Sequence, residues 1–289
     1  MPAIRTQKFA GDGAPSVPAV FTRVTRGEER LSLGHHLRTQ IEGSGPPLIL
    51  IHGIGARRAT FGGLVAGLKD RFTCISYDLR GHGESPAPTA RFGLDDLVDD
   101  LEALRVRLGI ARAHVAGHTL GGMIGPAHAR RHPGGVMSPG LWSTAAFRTR
   151  DDGAKVRAVV AAMRAQGVGP VLDTLTARWF TDAFCTARPT VIAWRKRQVM
   201  ETPAEVFLNV FDIDAETEVG RSLHRIAAPA QVLTGDMDGG CNPRLNRQIA
   251  AAMPDAELVI PDGLKHAIVI GATDAVLPQV RRFLPDPAR

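Results

Sequence analysis

The chain has 289 residues, of which 44% are hydrophobic and 22% are charged, and its formal net charge is +6. This composition is ordinary for a soluble globular protein with a sizeable core. No apolar run approaches the roughly 20 residues that cross a bilayer, and the basic residues are interleaved with acids, so we expect neither a membrane nor a nucleic-acid partner.

Location and metal content can be predicted from a few features. The N-terminal stretch MPAIRTQKFAGDGAPSVP lacks an apolar signal core, so we expect a cytoplasmic protein. Cys74, Cys185 and Cys241 are too scattered for a disulfide framework, and no CxxC pair suggests zinc. The pair His35-His36 has no partners at metal spacing, so we expect no metal site. The one tight basic run, Arg195-Lys196-Arg197, is interpreted as a solvated helix face.

The first half of the chain alternates between strand and helix patterns. Residues 1–18 are interpreted as a loose arm, and a strand pair is expected over residues 20–40. The run Leu48-Ile49-Leu50-Ile51 is apolar on both faces and predicts a buried parallel strand. Further elements follow: a helix at 60–69, a strand at 73–77, a helix at 94–108 and a strand at 113–116. This order predicts a mostly parallel sheet with right-handed crossovers.

The pattern changes between residues 143 and 223, where helical segments occur without intervening strands. Strands resume at 230–234 and 257–260, so sheet elements lie on both sides of the helical block. We therefore expect residues 19–142 and 224–289 to form one α/β core and residues 143–223 to form an inserted helical cap. The helices expected in the block are 152–165, 171–179, 190–200 and 203–211, and those expected after it are 243–253 and 274–283.

The stretch HVAGHTLGG, residues 114–122, carries the first chemical signal. A strand enters a glycine-rich turn there, and Gly117, Gly121 and Gly122 remove side chains around Thr119. A strand can then turn sharply into a helix and expose residue 119 at the tip. The N–H groups at the start of that helix suit a developing oxyanion.

Two later loops also follow predicted strands and carry ionisable side chains. TGDMDGGCNP contains Asp236 and Asp238, and PDGLKH ends at His266. Ligands of open parallel sheets bind at the carboxyl ends of the strands, where these three loops meet. Hydroxyl, carboxylate and imidazole in this chain order are one known solution to the nucleophile, acid and histidine arrangement.

Five motifs in this order, LILIHGIG, YDLRGHGES, GHTLGG, TGDMDGG and GLKH, resemble those of the α/β-hydrolase fold family over residues 30–285. Among its members the chain is most similar to esterases and lactonases of the 3-oxoadipate enol-lactonase type. The resemblance implies a mostly parallel central sheet flanked by helices, and a nucleophile at Thr119. It assigns the acid to Asp238, with Asp236 as the alternative, and the base to His266. The backbone N–H groups of Ile54 and Leu120 would form the oxyanion hole.

Thr119 departs from the family pattern, which has serine at this place. The nucleophile of such turns adopts a positive φ that costs about 1–3 kcal/mol, and a β-branched residue adds to this cost. The methyl group also lies near the path of the attacked carbonyl carbon. Three hypotheses follow: a working threonine hydrolase, a serine hydrolase whose nucleophile was replaced, and a protein that uses the pocket for something else.

The expected substrate is a small, partly hydrophobic ester or lactone, cleaved without cofactor or metal. Trp142 and Phe147 are candidates for pocket lining, with packing in the core as the alternative. Two other functions stay open. One is a lyase or cofactor-free oxygenase in which the histidine and acid act as a general base, and the other is a non-catalytic receptor for a small molecule. The sequence does not indicate the oligomeric state.

Overall fold

The computed structural model describes residues 36–284. The expected N-terminal arm over residues 1–18 and the first part of the expected strand pair over 20–40 lie outside the described residues. No helix within the described range is long and apolar enough to cross a membrane.

A seven-stranded sheet, ordered β1-β3-β2-β4-β5-β6-β7, forms the centre of the described part of the chain. Only β1 is antiparallel to its neighbour, and the other pairs are parallel. This is the predicted α/β architecture. The strands are β1 Thr39–Glu42, β2 Pro47–Ile51, β3 Thr73–Tyr77, β4 Ala113–His118, β5 Val136–Trp142, β6 Ala230–Leu233 and β7 Ala256–Val259.

The central strands are apolar on both faces because both faces are covered. In β2, Leu48 and Leu50 enter one hydrophobic cluster, whereas Ile49 and Ile51 enter the other. All four side chains are fully buried. Each such burial contributes about 1.5–3 kcal/mol, so the two clusters fix the register of the strand.

Helices cover the two faces of the sheet. One face packs on α1 and α11 through residues such as Leu64 and Val276, and the other packs on α2, α3 and α9 through residues such as Leu101, Ile124 and Ile249. The helices are α1 Gly62–Leu68, α2 Leu94–Arg107, α3 Gly121–Arg131, α4 Arg150–Gln166, α5 Val168–Trp179, α6 Asp182–Ala187, α7 Pro189–Glu201, α8 Ala204–Glu216, α9 Pro243–Ala251, α10 Ile268–Gly271 and α11 Thr273–Phe283.

Five of these helices, α4 to α8, occupy the chain between β5 and β6. Helix α8 packs on the loops that follow β2 and β3. A Cβ atom on Gly55 would lie 2.4 Å from the Phe207 ring, and one on Gly81 would lie 2.7 Å from Val206. Both glycines have positive φ. The inserted helices therefore lie against the carboxyl ends of the strands, where the candidate site is.

Candidate active site

The turn at Thr119 joins β4 to α3 and holds its central residue in a left-handed conformation with φ 51°. Two hydrogen bonds fix this geometry. The Thr119 N–H donates to the Trp142 carbonyl at 2.8 Å, and the Thr144 hydroxyl donates to the Thr119 carbonyl at 2.8 Å. A β-branched residue rarely adopts this conformation, which costs about 1–3 kcal/mol. The surrounding structure thus holds Thr119 in a strained position at the end of the strand.

The glycines of the turn are required by close backbone approach. A Cβ atom on Gly117 would lie 2.1 Å from the Gly121 backbone, and one on Gly121 would lie 2.1 Å from the Ile51 carbonyl oxygen. A Cβ atom on Gly122 would lie 2.7 Å from Thr144. Real side chains essentially never approach so closely, so the packing of α3 on the sheet depends on these glycines.

The methyl group of Thr119 lies against the loop that follows β2. A Cβ atom on Gly53 would lie only 1.8 Å from Thr119 Cγ2. The methyl group therefore uses the space that the missing side chain of Gly53 leaves. Gly53 directly precedes Ile54, whose backbone N–H is the expected oxyanion donor.

His266 and Asp238 form the charged pair of the site. His266 Nδ1 lies 2.8 Å from Asp238 Oδ2, and Asp238 Oδ1 accepts the N–H groups of Gly240 and Cys241 at 2.9 Å each. Asp236, the alternative acid, is exposed, and among the described residues its side chain accepts only the Leu264 N–H, at 3.1 Å. The structure thus pairs Asp238 with the histidine.

The environment shifts the pKa of both partners toward the charged forms. Burial by itself raises the pKa of Asp238, but the charge of His266 and the hydrogen bonds from His266, Cys241 and Gly240 bring it below its usual value. Burial by itself lowers the pKa of His266, but the Asp238 carboxylate and its hydrogen bond raise it above the usual 6.5. An aspartate of this kind keeps the proton on Nδ1 and leaves Nε2 free to act as a base.

Two other histidines near the turn have structural roles. His118 Nε2 donates to the His266 carbonyl oxygen at 2.8 Å. His52 Nε2 accepts the Leu79 N–H at 2.9 Å, while its Nδ1 donates to the Gly53 carbonyl oxygen at 2.8 Å. Burial lowers the pKa of each ring to about 3. Both rings are therefore neutral and hold loops together.

Two buried backbone N–H groups near Thr119 have no acceptor in the described part of the chain. Within residues 36–284 neither Ile54 nor Leu120 donates its N–H to another residue, although both residues are buried. Buried N–H groups without a partner are rare and costly, which makes these two candidates for binding a ligand oxygen. In the same described range no hydrogen bond joins the Thr119 hydroxyl to His266.

A cavity of about 430 Å³ lies between the carboxyl ends of the strands and the inserted helices. Thr119, Asp238, His266 and Ile54 all line it. The structure therefore brings together residues that are far apart in the sequence. The volume suits a small molecule.

Trp142 and Phe147, the candidates for pocket lining, do not line this cavity. Trp142 is the last residue of β5 and packs in the hydrophobic cluster beneath the sheet, where its indole N–H donates to Gln231 at 3.2 Å. Phe147 packs against Gly220 instead. In β5, alternate side chains point to opposite faces. Trp142 belongs to the face of the sheet that packs on α1 and α11. The alternative of core packing is therefore the one the structure supports.

Arg195 is a cavity residue that the sequence reasoning missed. The run Arg195-Lys196-Arg197 was interpreted as a solvated helix face, which is wrong for Arg195, because its side chain is only 7% exposed and lines the cavity. Lys196 and Arg197 are more accessible. Helical periodicity was the available signal, since consecutive residues of a helix point in different directions.

Two groups of side chains in the described part of the chain are close enough to share a metal ion. One is Asp238, Cys241 and His266, where burial raises the pKa of the Cys241 thiol well above its usual value. The other is Glu102 with His128 of α3 and His132 just after it, but Arg105 already donates to both oxygens of that carboxylate, at 2.8 and 2.6 Å. Existing partners therefore explain the second group without an ion.

The chain is similar in sequence to known hydrolases. The pattern of the α/β-hydrolase fold family matches residues 46–144. The 3-oxoadipate enol-lactonase 2 of Acinetobacter baylyi is 30% identical over 193 residues, which are 67% of this chain and 72% of the relative. The chain belongs to the α/β-hydrolase family.

Further similar proteins in the family are also an esterase and a lactonase. The pimeloyl-[acyl-carrier protein] methyl ester esterase of Chromobacterium violaceum is 31% identical to this α/β-hydrolase, covering 78% of this chain and 89% of the relative. The crystal structure of the enol-lactonase from Burkholderia xenovorans LB400 matches with a TM-score of 0.79 and 27% identity, over 86% of this chain and 95% of that one. The protein is thus an enzyme of the esterase and lactonase type.

Proposed function

We propose that this α/β-hydrolase cleaves a small ester or lactone through a covalent acyl-enzyme formed on Thr119. One observation carries the proposal: the hydrogen-bonded pair of His266 and Asp238 lines the same cavity as the strained turn of Thr119. A nucleophile, a base and a residue that orients the base are what acyl transfer requires. The names of the relatives, an enol-lactonase and a methyl ester esterase, describe the same bond type.

The reaction proceeds in two steps. Thr119 Oγ1 attacks the carbonyl carbon as His266 Nε2 takes the hydroxyl proton. The resulting oxyanion accepts hydrogen bonds from the backbone N–H groups of Ile54 and Leu120. His266 then donates that proton to the leaving alkoxide, which departs as an alcohol and leaves an ester on Thr119. In the second step His266 takes a proton from water as the water oxygen attacks the ester carbonyl. His266 then gives that proton to Thr119 Oγ1, which restores the hydroxyl and releases the acid. In a lactone the alcohol and the acid are parts of one product.

The helices between residues 143 and 223 act as a cap over this chemistry. Their packing on the Gly55 and Gly81 loops supports the assignment. A covered cavity limits the size of the substrate and excludes most bulk water, which strengthens the electrostatic interactions inside. The volume of about 430 Å³ restricts the enzyme to small substrates.

The missing hydrogen bond between the Thr119 hydroxyl and His266 favours a second candidate. In that candidate the pair of His266 and Asp238 acts as a general base on a bound substrate, and Thr119 only hydrogen-bonds the substrate. A lyase or cofactor-free oxygenase would work in this way. Hydrogen bonds of this kind often tighten only when substrate binds, which supports the covalent route as the first candidate.

The decisive experiment is intact-protein mass spectrometry after incubation with a fluorophosphonate probe. The native chain, Thr119→Ser and His266→Ala are compared. Labelling of the native chain at Thr119, lost in His266→Ala, supports the threonine nucleophile. Labelling of Thr119→Ser alone indicates intact hydrolytic machinery with a crippled nucleophile. If the probe labels neither the native chain nor Thr119→Ser, the covalent route is wrong.

A further inference from the structure

Arg195 of α7 is held rigidly at the wall of the cavity. Its Nη1 donates to the Gly55 carbonyl oxygen at 2.5 Å and its Nη2 donates to the Ile54 carbonyl oxygen at 2.9 Å. The guanidinium carbon lies 4.5 Å from the centre of the Trp179 ring. These contacts place a fixed positive charge beside the loop that carries the proposed oxyanion N–H of Ile54.

This buried cation has no acidic partner among the described residues. The acids that line the cavity are paired elsewhere: Asp238 with His266, Asp214 with Arg148, and Asp152 with Arg244. A buried charge without a counter-ion is destabilising. Burial accordingly lowers the pKa of Arg195 to about 9, so the side chain still carries its charge at neutral pH.

Arg195 also has unused donors. A guanidinium carries five N–H groups, and carbonyl oxygens accept only two of those of Arg195. Within residues 36–284 the remaining donors have no acceptor, and the side chain lines the cavity. The planar arrangement of such donors matches the two oxygens of a carboxylate.

Besides Arg148, which pairs with Asp214, two further cations line the same cavity. Lys155 and Arg178 are exposed and, in the part of the chain that the structure describes, form no ion pair. Solvent screens their charge, so each contributes little to binding. Together with Arg195 they still give the cavity an excess of positive charge over its paired acids, which attracts anions.

We propose that Arg195 binds a carboxylate of the substrate, so that the enzyme selects a small ester or lactone that carries a free carboxylate over its neutral counterpart. The inference rests on the proposed function for the identity of the reacting bond. Arg195 is then a specificity-determining residue, since its unused donors can pair with both oxygens of a carboxylate.

The test compares two substrates of the same shape and different charge: monomethyl glutarate and the methyl ester of glutaric acid monoamide. The expected result is a kcat/KM that is roughly tenfold to hundredfold higher for the carboxylate, the range of hydrogen bonds to charged groups. Arg195→Met should remove this preference, and Arg195→Lys should retain part of it. Equal kcat/KM values for the two esters in the native chain would overturn the proposal.

The ratio of the two kcat/KM values separates substrate binding from support of the loop. Because Arg195 also holds Gly55 and Ile54, Arg195→Met should slow both substrates, but a purely structural role would slow them equally and leave the ratio unchanged. That outcome overturns the proposal. Both values come from one preparation, so partial unfolding cancels in the ratio. Arg197→Met is the matched control, since it removes an exposed arginine from the same helix outside the cavity and should keep the native ratio.

A binding measurement separates failure of this inference from failure of the proposed function. If neither ester is hydrolysed by the native chain or by Thr119→Ser, calorimetry is performed with glutaric acid monoamide and with neutral glutaramide. Binding of the acid alone, lost in Arg195→Met and kept in Arg197→Met, supports the carboxylate site even though the hydrolytic function has failed. Equal binding of acid and amide, or binding of neither, overturns the site.

Discussion

The pair of Asp238 and His266 and the turn of Thr119 belong to one cavity but are built differently. Each oxygen of Asp238 has hydrogen-bond partners, and the His266 ring is fixed through Nδ1 with Nε2 left free. Thr119 has the required backbone position, but its φ of 51° strains a β-branched residue. Its methyl group fills the space beside Gly53, and its hydroxyl makes no hydrogen bond to His266 within the described residues.

The difference indicates where the limit to catalysis lies. Asp238 and His266 have the partners and the pKa shifts of a working acid–base pair, so under the proposed function we expect Thr119 to limit the chemical step. In the proposed route the extra methyl group beside Gly53 lies close to the attacking oxygen, and small displacements of reacting atoms slow reactions greatly. Four predictions test this contrast.

The largest effect is expected from the base. His266→Gln should lower kcat by up to about 10⁶-fold, because the group that takes the proton of the nucleophile is lost. Steady-state hydrolysis of monomethyl glutarate, with circular dichroism to verify folding, measures this effect. The control is His36→Gln, which changes an exposed histidine that does not line the cavity. Comparable activity in His266→Gln and the native enzyme would refute the role of His266.

Thr119→Ser should raise kcat roughly tenfold to hundredfold, because it removes the methyl group beside Gly53 and keeps the hydroxyl. The gain is measured with the same ester under saturating conditions. Thr119→Val keeps the branched shape without the hydroxyl and should be inactive in the covalent route. A serine variant slower than the native enzyme would show that the nucleophile is not the weak part of the site.

The pH dependence reports on the pair directly. His266 acts as a base only when neutral, and its pKa lies above 6.5 because of Asp238. The kcat/KM of the native enzyme should therefore fall about tenfold per pH unit below that raised pKa. In Asp238→Asn the acid limb should move to lower pH, as the carboxylate no longer stabilises the protonated ring. An acid limb at the same pH in both proteins would contradict the coupling.

The smallest effect concerns stability. Thr119→Gly should stabilise the fold by about 1 kcal/mol relative to Thr119→Ala. Glycine relieves about 1–3 kcal/mol of backbone strain, which exceeds the conformational entropy that glycine additionally loses on folding. Both variants lack the Cγ2 methyl group and the Oγ1 hydroxyl of threonine, so the difference in their stability reports mainly on the positive φ. Urea unfolding measures it. If the alanine variant is as stable as the glycine variant, Thr119 carries no backbone strain.

Local signals placed many elements within a few residues. The expected strand at 73–77 coincides with β3, and the expected helix at 152–165 lies within α4, Arg150–Gln166. The start of α4 is earlier because Thr149 and Asp152 form a reciprocal cap: the Thr149 hydroxyl accepts the Asp152 N–H at 3.1 Å, and the Asp152 carboxylate accepts the Thr149 N–H at 2.9 Å. Caps of this kind are readable from sequence.

Other features could not be predicted, because they depend on contacts with segments that are distant in the sequence. Strand β5 contains Pro139 and Gly140, which weaken any strand pattern. It forms because β4 pairs along its length, whereas β6 pairs only with residues from Gly140 to Trp142, beyond Pro139. The burial of Arg195 was missed for a similar reason. Its partners, the carbonyls of Ile54 and Gly55, are about 140 positions away in the chain.

The sequence by itself determined the α/β order of elements, the glycine-rich turn and the candidate residues Thr119, Asp238 and His266, because periodicity, turn chemistry and motif order are local properties of the chain. The tertiary structure decided which of these residues share a cavity, and it decided that Trp142 packs in the core while Arg195 lines the cavity. Those outcomes depend on which helix packs on which loop, and packing between distant segments leaves no pattern in either segment alone.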